Sequence, residues 1–566
     1  MRSISKNKWL ITAALPYVNN IPHIGVVIGS HLPADIFVRY LRLFKEDVIF
    51  VGGTDEHGSP IEVAAYKAGK SPKELTDQLH SIHKQVYEWL SISYDNFSRT
   101  SNLTNHLTTN EIFTSLFEKG YIIKKKMLLP FCSTDKMFLP DRWVEGTCPK
   151  CSYTPARGDQ CDNCTQLLDP KDLVNPYCII CKNPPCFKEE EHLFIDLPQF
   201  QERLKKWIDD NITLKENVRN LALSWLKEGL QPRCITRDLT WGIHVPLQGF
   251  ENKVFYVWFD APIGYISSTK EWAQAIHDPE AWKKYWLDPH SKIVHFLGKD
   301  NIPFHTIIWP SILLGTGKYN LPYTVIGYEF LNYRGEKISK SRNWGIFLEV
   351  VDHVVKIKLE NNYIDVDSDR LRFYLARILP ESRDSNFSLD DFESRINNDL
   401  IGNFGNFAYR VLNFIERKFD RKIPEYDNFQ EMEIQLLKRV SEVKEEIKQY
   451  VYEFSLKDSL SKTLELSDEC NKYFQTKKPW KTLISDRTDC QRTLYLTSNL
   501  LRSLAILFSP FIPNSSQELW KQLNLEGTVH LQTFDTIDKL EIKPGHVLGE
   551  QIHPLFKKID VATFSH

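Results

Sequence analysis

Short, wholly apolar runs separated by amphipathic stretches fill the start of the chain. The runs WLITAALPYV (residues 9–18) and VIFVGG (48–53) are of strand length and rich in β-branched residues, so each is read as a strand buried on both faces. Helical spacing between such runs, continuing to about residue 120, predicts a parallel α/β sheet. From Tyr121 to about Asp169 this rhythm stops and Cys, Pro and Gly crowd in, as in an inserted module. Strand-like runs return in VFYVWFDAPIGY and KIVHFLGKDNIPFHTIIWP, so the sheet is expected to resume after an interruption. Beyond about Asp390 helical periodicity dominates, as in MEIQLLKRVSEVKEEIKQYVYEF, and predicts a separate all-α unit.

Composition narrows this picture. At 566 residues, with 42% hydrophobic and 12% aromatic content, the chain suits about three or four packed units rather than a disordered scaffold. A formal charge of -2 excludes a uniformly cationic coat, so any nucleic-acid contact needs a local patch. Arg2, Lys6 and Lys8 precede an apolar stretch, but Pro16 cuts it short and no small-residue cleavage site follows, so it reads as a buried strand and not a leader. No membrane partner is expected, because no apolar run was found to approach the ~20 residues of a bilayer span. Six of the eleven cysteines fall in C-x-x-C pairs, which points to metal in a reducing, cytoplasmic setting.

Cys148 and Cys151, then Cys161 and Cys164, have the spacing of two thiolate turns that close one tetrahedral Zn²⁺ site. Four thiolates leave no open position, so such a site is structural. A second set is inferred from Cys178 and Cys181 with Cys132 and Asp135. There Asp135 competes with Cys186 for the fourth place, and occupancy is left open.

Two further stretches suit polyphosphate chemistry. His23 and Gly25 follow the first strand and precede a helix expected from about Ile28, so helix N–H groups and a dipole end face the turn. Far along the chain, GEKISKSRNWG places Lys337, Ser339, Lys340 and Ser341 on one Gly-flanked loop.

Together HIGV (23–26) and KISKS (337–341) resemble the HIGH and KMSKS motifs of the class I aminoacyl-tRNA synthetases. ALPYVNNIPHIG, GTDEHGSPI, KMFLPDRWVEGTCPKC, YVWFDAPIGYI, HFLGKDNIPFH and KKPW extend the likeness over nearly the whole chain, and within that class to the methionyl enzymes, in the archaeal-like form with a two-knuckle insertion. The resemblance implies an α/β Rossmann-type parallel sheet split by a zinc-binding connective insertion and followed by an all-α anticodon-binding helix bundle. Its halves would span 1–120 and 251–330, the insertion 121–250, a stem-contact linker 331–389, the anticodon bundle 390–545, and a C-terminal peptide 546–566 packing back on the catalytic domain. It implies methionine activation by ATP with Mg²⁺, giving methionyl-adenylate and pyrophosphate, then transfer to tRNA(Met).

The same resemblance assigns residues. His23, Lys337 and Lys340 would be catalytic, with Gly25, Gly298, Lys299, Asp300, Ser339 and Ser341 at the nucleotide. Leu15, Tyr17, Trp258, Ala261, Pro262, Tyr265 and His305 would line the methionine pocket, Asp55 would accept from the substrate ammonium, and Arg237 would hold Asp55. Asn406, Arg410 and Trp480 would read the anticodon, with Lys477 and Lys478 near phosphates.

Val26 departs from the motif, since valine cannot bond a phosphate. His23 and the helix N–H groups are expected to suffice, helped by Ser30 or His31. No room is seen for an appended C-terminal tRNA-binding barrel, so a monomer is expected. Three other readings stand beside this one. Another class I synthetase would need an editing domain larger than the Cys-rich insertion, and a ligase acting on a small molecule would not need the anticodon residues. A non-catalytic RNA-binding module would not need His23 and the lysines.

Overall fold

The computed structural model describes residues 7–158, 161, 163–164, 168–338, 344–359, 362–364 and 366–560. The opening apolar runs become β1 (Lys8–Ala13) and β2 (Asp47–Thr54), joined in one sheet by β3 (Asn96–Arg99), β4 (Ser291–Gly298) and β5 (Thr324–Tyr328). The spatial order is β5-β4-β1-β2-β3 and every pairing is parallel. The chain builds outward from β1 to β3, leaves for the insertion, and returns on the other side of β1. That reversal opens a crevice beyond the carboxyl ends of β1 and β4.

One face of the sheet is covered by α1 (Ile24–Leu43), which is long and apolar enough to cross a membrane by composition. It is a core helix instead: Val27, Ile28, Phe37 and Leu41 are wholly buried against the sheet, the linker and the helical domain. α1 starts at Ile24, directly after His23, rather than at about Ile28, and contains a π-turn over Val27–His31. Gly25, expected in the turn before the helix, lies in the first turn of α1, where its missing side chain makes room for His23. A Cβ on Gly25 would lie 2.9 Å from His23 Nδ1, and one on Gly29 3.9 Å from Gly298 Cα. The opposite face packs under α2 (Val257–Ala275), the Trp309–Thr316 helix and two insertion helices, Gln201–Asp210 and Glu216–Glu228.

The insertion is carried on a long antiparallel ladder of Ile122–Cys132 with Cys186–Ile195, and the C-x-x-C turns sit in the chain between these strands. The linker holds a three-stranded antiparallel meander, Ile346–Val351, Val354–Leu359 and Asn362–Ile364, then α3 (Ser368–Arg377). Long helices follow, among them Glu431–Tyr452, Leu456–Lys477 and α4 (Arg487–Phe508). The C-terminal peptide differs from expectation, since its described bonds go to the linker and the helical domain. Ile559 exchanges bonds with Asn397, Arg370 donates to Lys557 O, and Gly549 donates to Gln522 O. Phe556 and Ile559 find their apolar cover there, beside Gly405.

The units meet at Arg372 of α3, which is fully buried. It donates to Leu90 O (2.8 Å), Pro510 O (2.7 Å) and Phe511 O (3.0 Å), and pairs with Asp35 Oδ2 of α1 at 2.7 Å. Burial alone would raise the Asp35 carboxyl, but Arg39, Arg372 and Ser93 hold it down at about 2. The folded value therefore lies below the unfolded one of about 3.9, so the pair's contribution is complete above about pH 5 and lost as pH falls toward 2. Arg372→Met, which takes one of two guanidiniums from buried Asp35 and leaves the Leu90, Pro510 and Phe511 carbonyls without this donor, is expected to cost about 3–5 kcal/mol in urea unfolding at neutral pH. It should also flatten the acid limb of the stability profile between pH 5 and 2.

Candidate active site

A cavity of about 500 Å³ fills the crevice beyond β1 and β4. On one side it is walled by the start of α1, with His23, Gly25, Val26 and Ser30, and on another by Gly298 and Asp300 at the end of β4. His23 is extended (φ -117°, ψ 158°) and serves as the N-cap position of α1, so the positive end of the helix dipole opens on the cavity. Ser30 lines the cavity and donates to Val26 O at 3.0 Å. His31 does not help there. It is wholly buried, faces Tyr94 and Tyr87, and burial lowers its pKa to about 3, so it is a neutral core residue.

The apolar end is formed by Leu15, Tyr17, Trp258, Ala261, Pro262, Tyr265 and His305. A directional set of hydrogen bonds orders its floor. Asn301 O can only accept, so His305 Nδ1, 3.0 Å away, carries the proton and Nε2 accepts from Tyr265 Oη at 2.9 Å. Deeper, Trp309 Nε1 donates to His295 Nε2 (3.2 Å), which leaves His295 Nδ1 to donate to Thr12 Oγ1 at 2.6 Å. Burial keeps both imidazoles neutral, His305 at about 4 and His295 well below its ordinary value.

Asp55 reaches the cavity from the end of β2. It is 7% exposed, and among the described residues its Oδ1 has no hydrogen-bond partner. Burial and the neighbouring Asp260 carboxyl push its pKa well up, against one backbone hydrogen bond from His57. Asp260 is itself buried and paired with His57 Nδ1 at 2.6 Å. A buried carboxylate oxygen without a donor is costly, and a cationic ligand group placed there would relieve it. Tyr17 Oη donates to His57 O, beside Gly58.

Other expected residues fall in different places. Lys337 lies on the cavity rim with its ammonium 3.7 Å from the Phe330 ring centroid. Ser339, Lys340 and Ser341 lie outside the described residues. Lys299 is not in the lining, but it pairs with Glu329 (2.7 Å), which is, and with Asp384 (2.8 Å) of the linker. Arg237 stacks on Tyr256, 3.9 Å from the ring centroid, and lines a second cavity. Trp225, Asn301, Phe304 and Phe330 also line the main cavity and were not anticipated. Phe304 and Asn301 could have been taken from NIPFH, while Trp225 comes from an insertion helix with no local signature.

Two metal-ligand sets assemble among the described residues. In the first, Cys148 and Cys164 Sγ are 3.8 Å apart and Cys151 and Cys161 Sγ 3.6 Å, against about 3.8 Å for sulfurs at Zn–S distances on a tetrahedron. In the second, Asp135 stands 3.0 Å from Cys132 Sγ and 3.2 Å from Cys178 Sγ, with Cys181 Sγ 3.4 Å from Cys132 Sγ. Cys186 faces Ser133 and Phe131 O instead, so Asp135 is the fourth group. All described cysteines are free thiols, and the donor sets suit a structural Zn²⁺.

In the helical domain, Asn406 is exposed at the start of the Asn406–Lys418 helix. One turn on, the Arg410 guanidinium lies 5.4 Å from the centroid of Trp480, which is 40% exposed. Lys477 is held by Asp489 and by Glu433 at 3.2 Å, so it braces the helices rather than offering a charge to phosphate.

A split parallel sheet with an anion-facing helix start, a ligand cavity at the switch point and a helical appendage defines a class I aminoacyl-tRNA synthetase. Residues 9–412 match the family described as tRNA synthetases class I (M), and residues 433–560 match the anticodon-binding domain of tRNA ligase. The chain belongs to the methionyl-tRNA synthetase family. It is 44% identical over 533 residues to the methionine–tRNA ligase of Pyrococcus furiosus, covering 92% of this chain and 72% of that one. With the methionine–tRNA ligase of Ignicoccus hospitalis it shares 42% over 556 residues, covering 98% and 95%. Its fold is similar to that of Mycobacterium tuberculosis methionyl-tRNA synthetase solved in complex with methionyl-adenylate, with TM-score 0.77, 25% identity and coverage of 97% and 99%.

Gly58 has φ +99°, and a Cβ there would sit 2.5 Å from Tyr17 Oη. Gly58→Ala is expected to lower stability by about 1–3 kcal/mol in thermal unfolding. Gly69→Ala, also at positive φ (+65°) but with nothing within 4 Å, is expected to cost only about 1 kcal/mol.

Proposed function

We infer that the strand-end cavity holds methionine and ATP side by side and runs the family's reaction there. As a methionine–tRNA ligase, the enzyme activates L-methionine with ATP to methionyl-adenylate and pyrophosphate, then passes the methionyl group to tRNA. The observation that carries the residue assignment is Asp55: a buried carboxylate oxygen with no hydrogen-bond partner among the described residues, in the same cavity as the apolar side chains and the start of α1.

The substrate ammonium would fill the missing donor at Asp55, and its side chain would run between Leu15, Tyr17, Trp258 and Tyr265. Aromatic rings suit a thioether, since sulfur packs favourably against ring edges. This orientation sends the carboxylate toward Gly25 and His23, where the α-phosphate of ATP would lie. The carboxylate oxygen attacks that phosphorus and pyrophosphate departs, so no protein nucleophile is required. Positioning and neutralisation of growing negative charge lower the barrier. His23 and the α1 N-terminus would supply that at the nucleotide, with Lys337 and Lys340 closing over the leaving pyrophosphate. Mg²⁺ would enter with ATP and share the phosphate charge. Asn406, Arg410 and Trp480 would take anticodon bases, with Trp480 as a stacking surface. We place the protein in the cytoplasm as a monomer, which light scattering tests.

ATP–pyrophosphate exchange, run with each amino acid in turn, is expected to respond to methionine. His23→Ala should lower kcat about 10²–10³-fold, and Asp55→Asn should cut kcat/KM at least as far. Exchange with another amino acid and none with methionine would sink the assignment. Metal analysis of purified protein should return two zinc ions per chain, and Asp135→Ala should retain one. A single zinc in the unsubstituted protein would leave the Asp135 set structural without metal.

A further inference from the structure

A second cavity, of about 320 Å³, lies between the insertion ladder and the residues around Arg233, and no step above uses it. Cys234, His192, Asp238, Arg233 and Arg237 all line it. Cys234 is 7% exposed, with Sγ 3.4 Å from Thr236 O. His192 Nδ1 is 2.9 Å from Thr236 Oγ1, and its Nε2 is 3.1 Å from Asp238 Oδ2. Lys253 holds Asp238 from the other side and also pairs with Glu190 at 2.7 Å.

This row of thiol, imidazole and carboxylate differs from the other buried thiols. Burial opposes charge on Cys234, but the neighbouring His192 imidazole and Arg237 guanidinium outweigh that and lower its pKa. Burial also opposes charge on His192, and the Asp238 carboxylate and Cys234 thiol beside it raise its pKa above the ordinary value. Cys490, with burial dominant, is pushed up to about 11, and Cys470 is also pushed up. A thiol drawn toward its thiolate form by nearby cations, and lining a cavity, is more reactive toward disulfides than one enclosed by apolar groups.

We propose that Cys234 is a modification site that forms a mixed disulfide with a small carboxylate-bearing thiol, delivered as that compound's own disulfide. The Cys234 thiolate attacks one sulfur of the small disulfide. A Cys234 S–S bond forms, the original S–S bond breaks, and the departing thiolate takes a proton from His192 or water. Arg233 and Arg237, each stacked on an aromatic ring, line the cavity and set a positive potential where the carboxylates arrive. The site is coupled to the methionine pocket through Arg233, whose guanidinium lies 4.4 Å from the Trp258 ring centroid. An adduct beside Arg233 displaces that stack and weakens methionine binding. This coupling rests on the reading of Trp258 as a pocket wall, whereas the modification itself does not.

The test incubates zinc-loaded full-length protein with glutathione disulfide, maps adducts by mass spectrometry, and measures pyrophosphate exchange before and after dithiothreitol. Expected are a glutathione on Cys234, counted apart from any on the exposed Cys186 by also running Cys186→Ser, a several-fold rise in the methionine KM, and full recovery on reduction. Cys234→Ser, with Cys234→Ala in reserve should the first misfold, takes no adduct and keeps its KM. His192→Gln slows adduct formation at least tenfold, and uncharged hydroxyethyl disulfide reacts more slowly than the glutathione compound. An unmodified Cys234, adducts confined to the knuckle cysteines, or a rate indifferent to His192→Gln would overturn the site. An adduct that leaves KM unchanged would overturn the coupling. Absence of methionine-dependent exchange in untreated protein would instead count against the proposed function, with the mass readout standing apart.

Discussion

The buried contact between Arg372 and Asp35 is the constraint on which the arrangement of units depends. Asp35 lies on α1, the helix whose first turn faces the cavity. Arg372 lies on α3 of the linker and also satisfies carbonyls at Leu90 and at Pro510 and Phe511. One guanidinium thus ties the nucleotide-binding sheet, the linker and the helical domain through bonds that all lose their partner together. Buried ion pairs are poor sources of net stability but strong arbiters of geometry, because the unpaired alternative is so unfavourable. With α1 fixed in this way, His23 and Gly25 are aimed at the crevice, and the helices carrying Arg410 and Trp480 keep a set direction from it.

Much of this was legible in sequence because it depends on local pattern. Strands buried on both faces announce themselves as unbroken apolar runs, and paired C-x-x-C turns announce a tetrahedral site. The cavity residues Leu15, Tyr17, Asp55, Trp258, Tyr265 and His305 were also legible through their motifs, and the structure places them around one space. What was not legible depends on partners distant in sequence. His31 looked like a phosphate ligand until Tyr87 and Tyr94 claimed it, Lys299 is paired with Glu329 and Asp384, and Lys477 is held by Glu433 and Asp489. A charged side chain's direction is decided by which opposite charge the fold brings nearest, and no local window contains that. The start of α1 was misplaced for a related reason: Gly25, assigned to a turn, lies in the helix and leaves room for the His23 ring.

The apolar pocket also shows how neutral polar groups can select a ligand. Tyr265 gives its proton to His305, and His305 gives its own to Asn301 O. His295 and Thr12 are similarly engaged behind them. With these donors already committed inside the protein, the floor favours a group that asks for little hydrogen bonding, as a thioether does. Discrimination against a ligand lacking one methyl stays modest on such a surface, about 1–3 kcal/mol.

The composition of α1 bears on how the chain is made. A helix as apolar as a membrane span is tolerable in water only under cover, and much of that cover comes from β4, β5, the linker and α4, all encoded far downstream, from Ser291 onward. During synthesis α1 therefore emerges long before the surfaces that shield it. A ribosome must add most of the protein while this segment waits, collapsed on β1 and β2 or held by a chaperone. The catalytic half is thus a late product of translation, completed only when the tRNA-reading half arrives to enclose it.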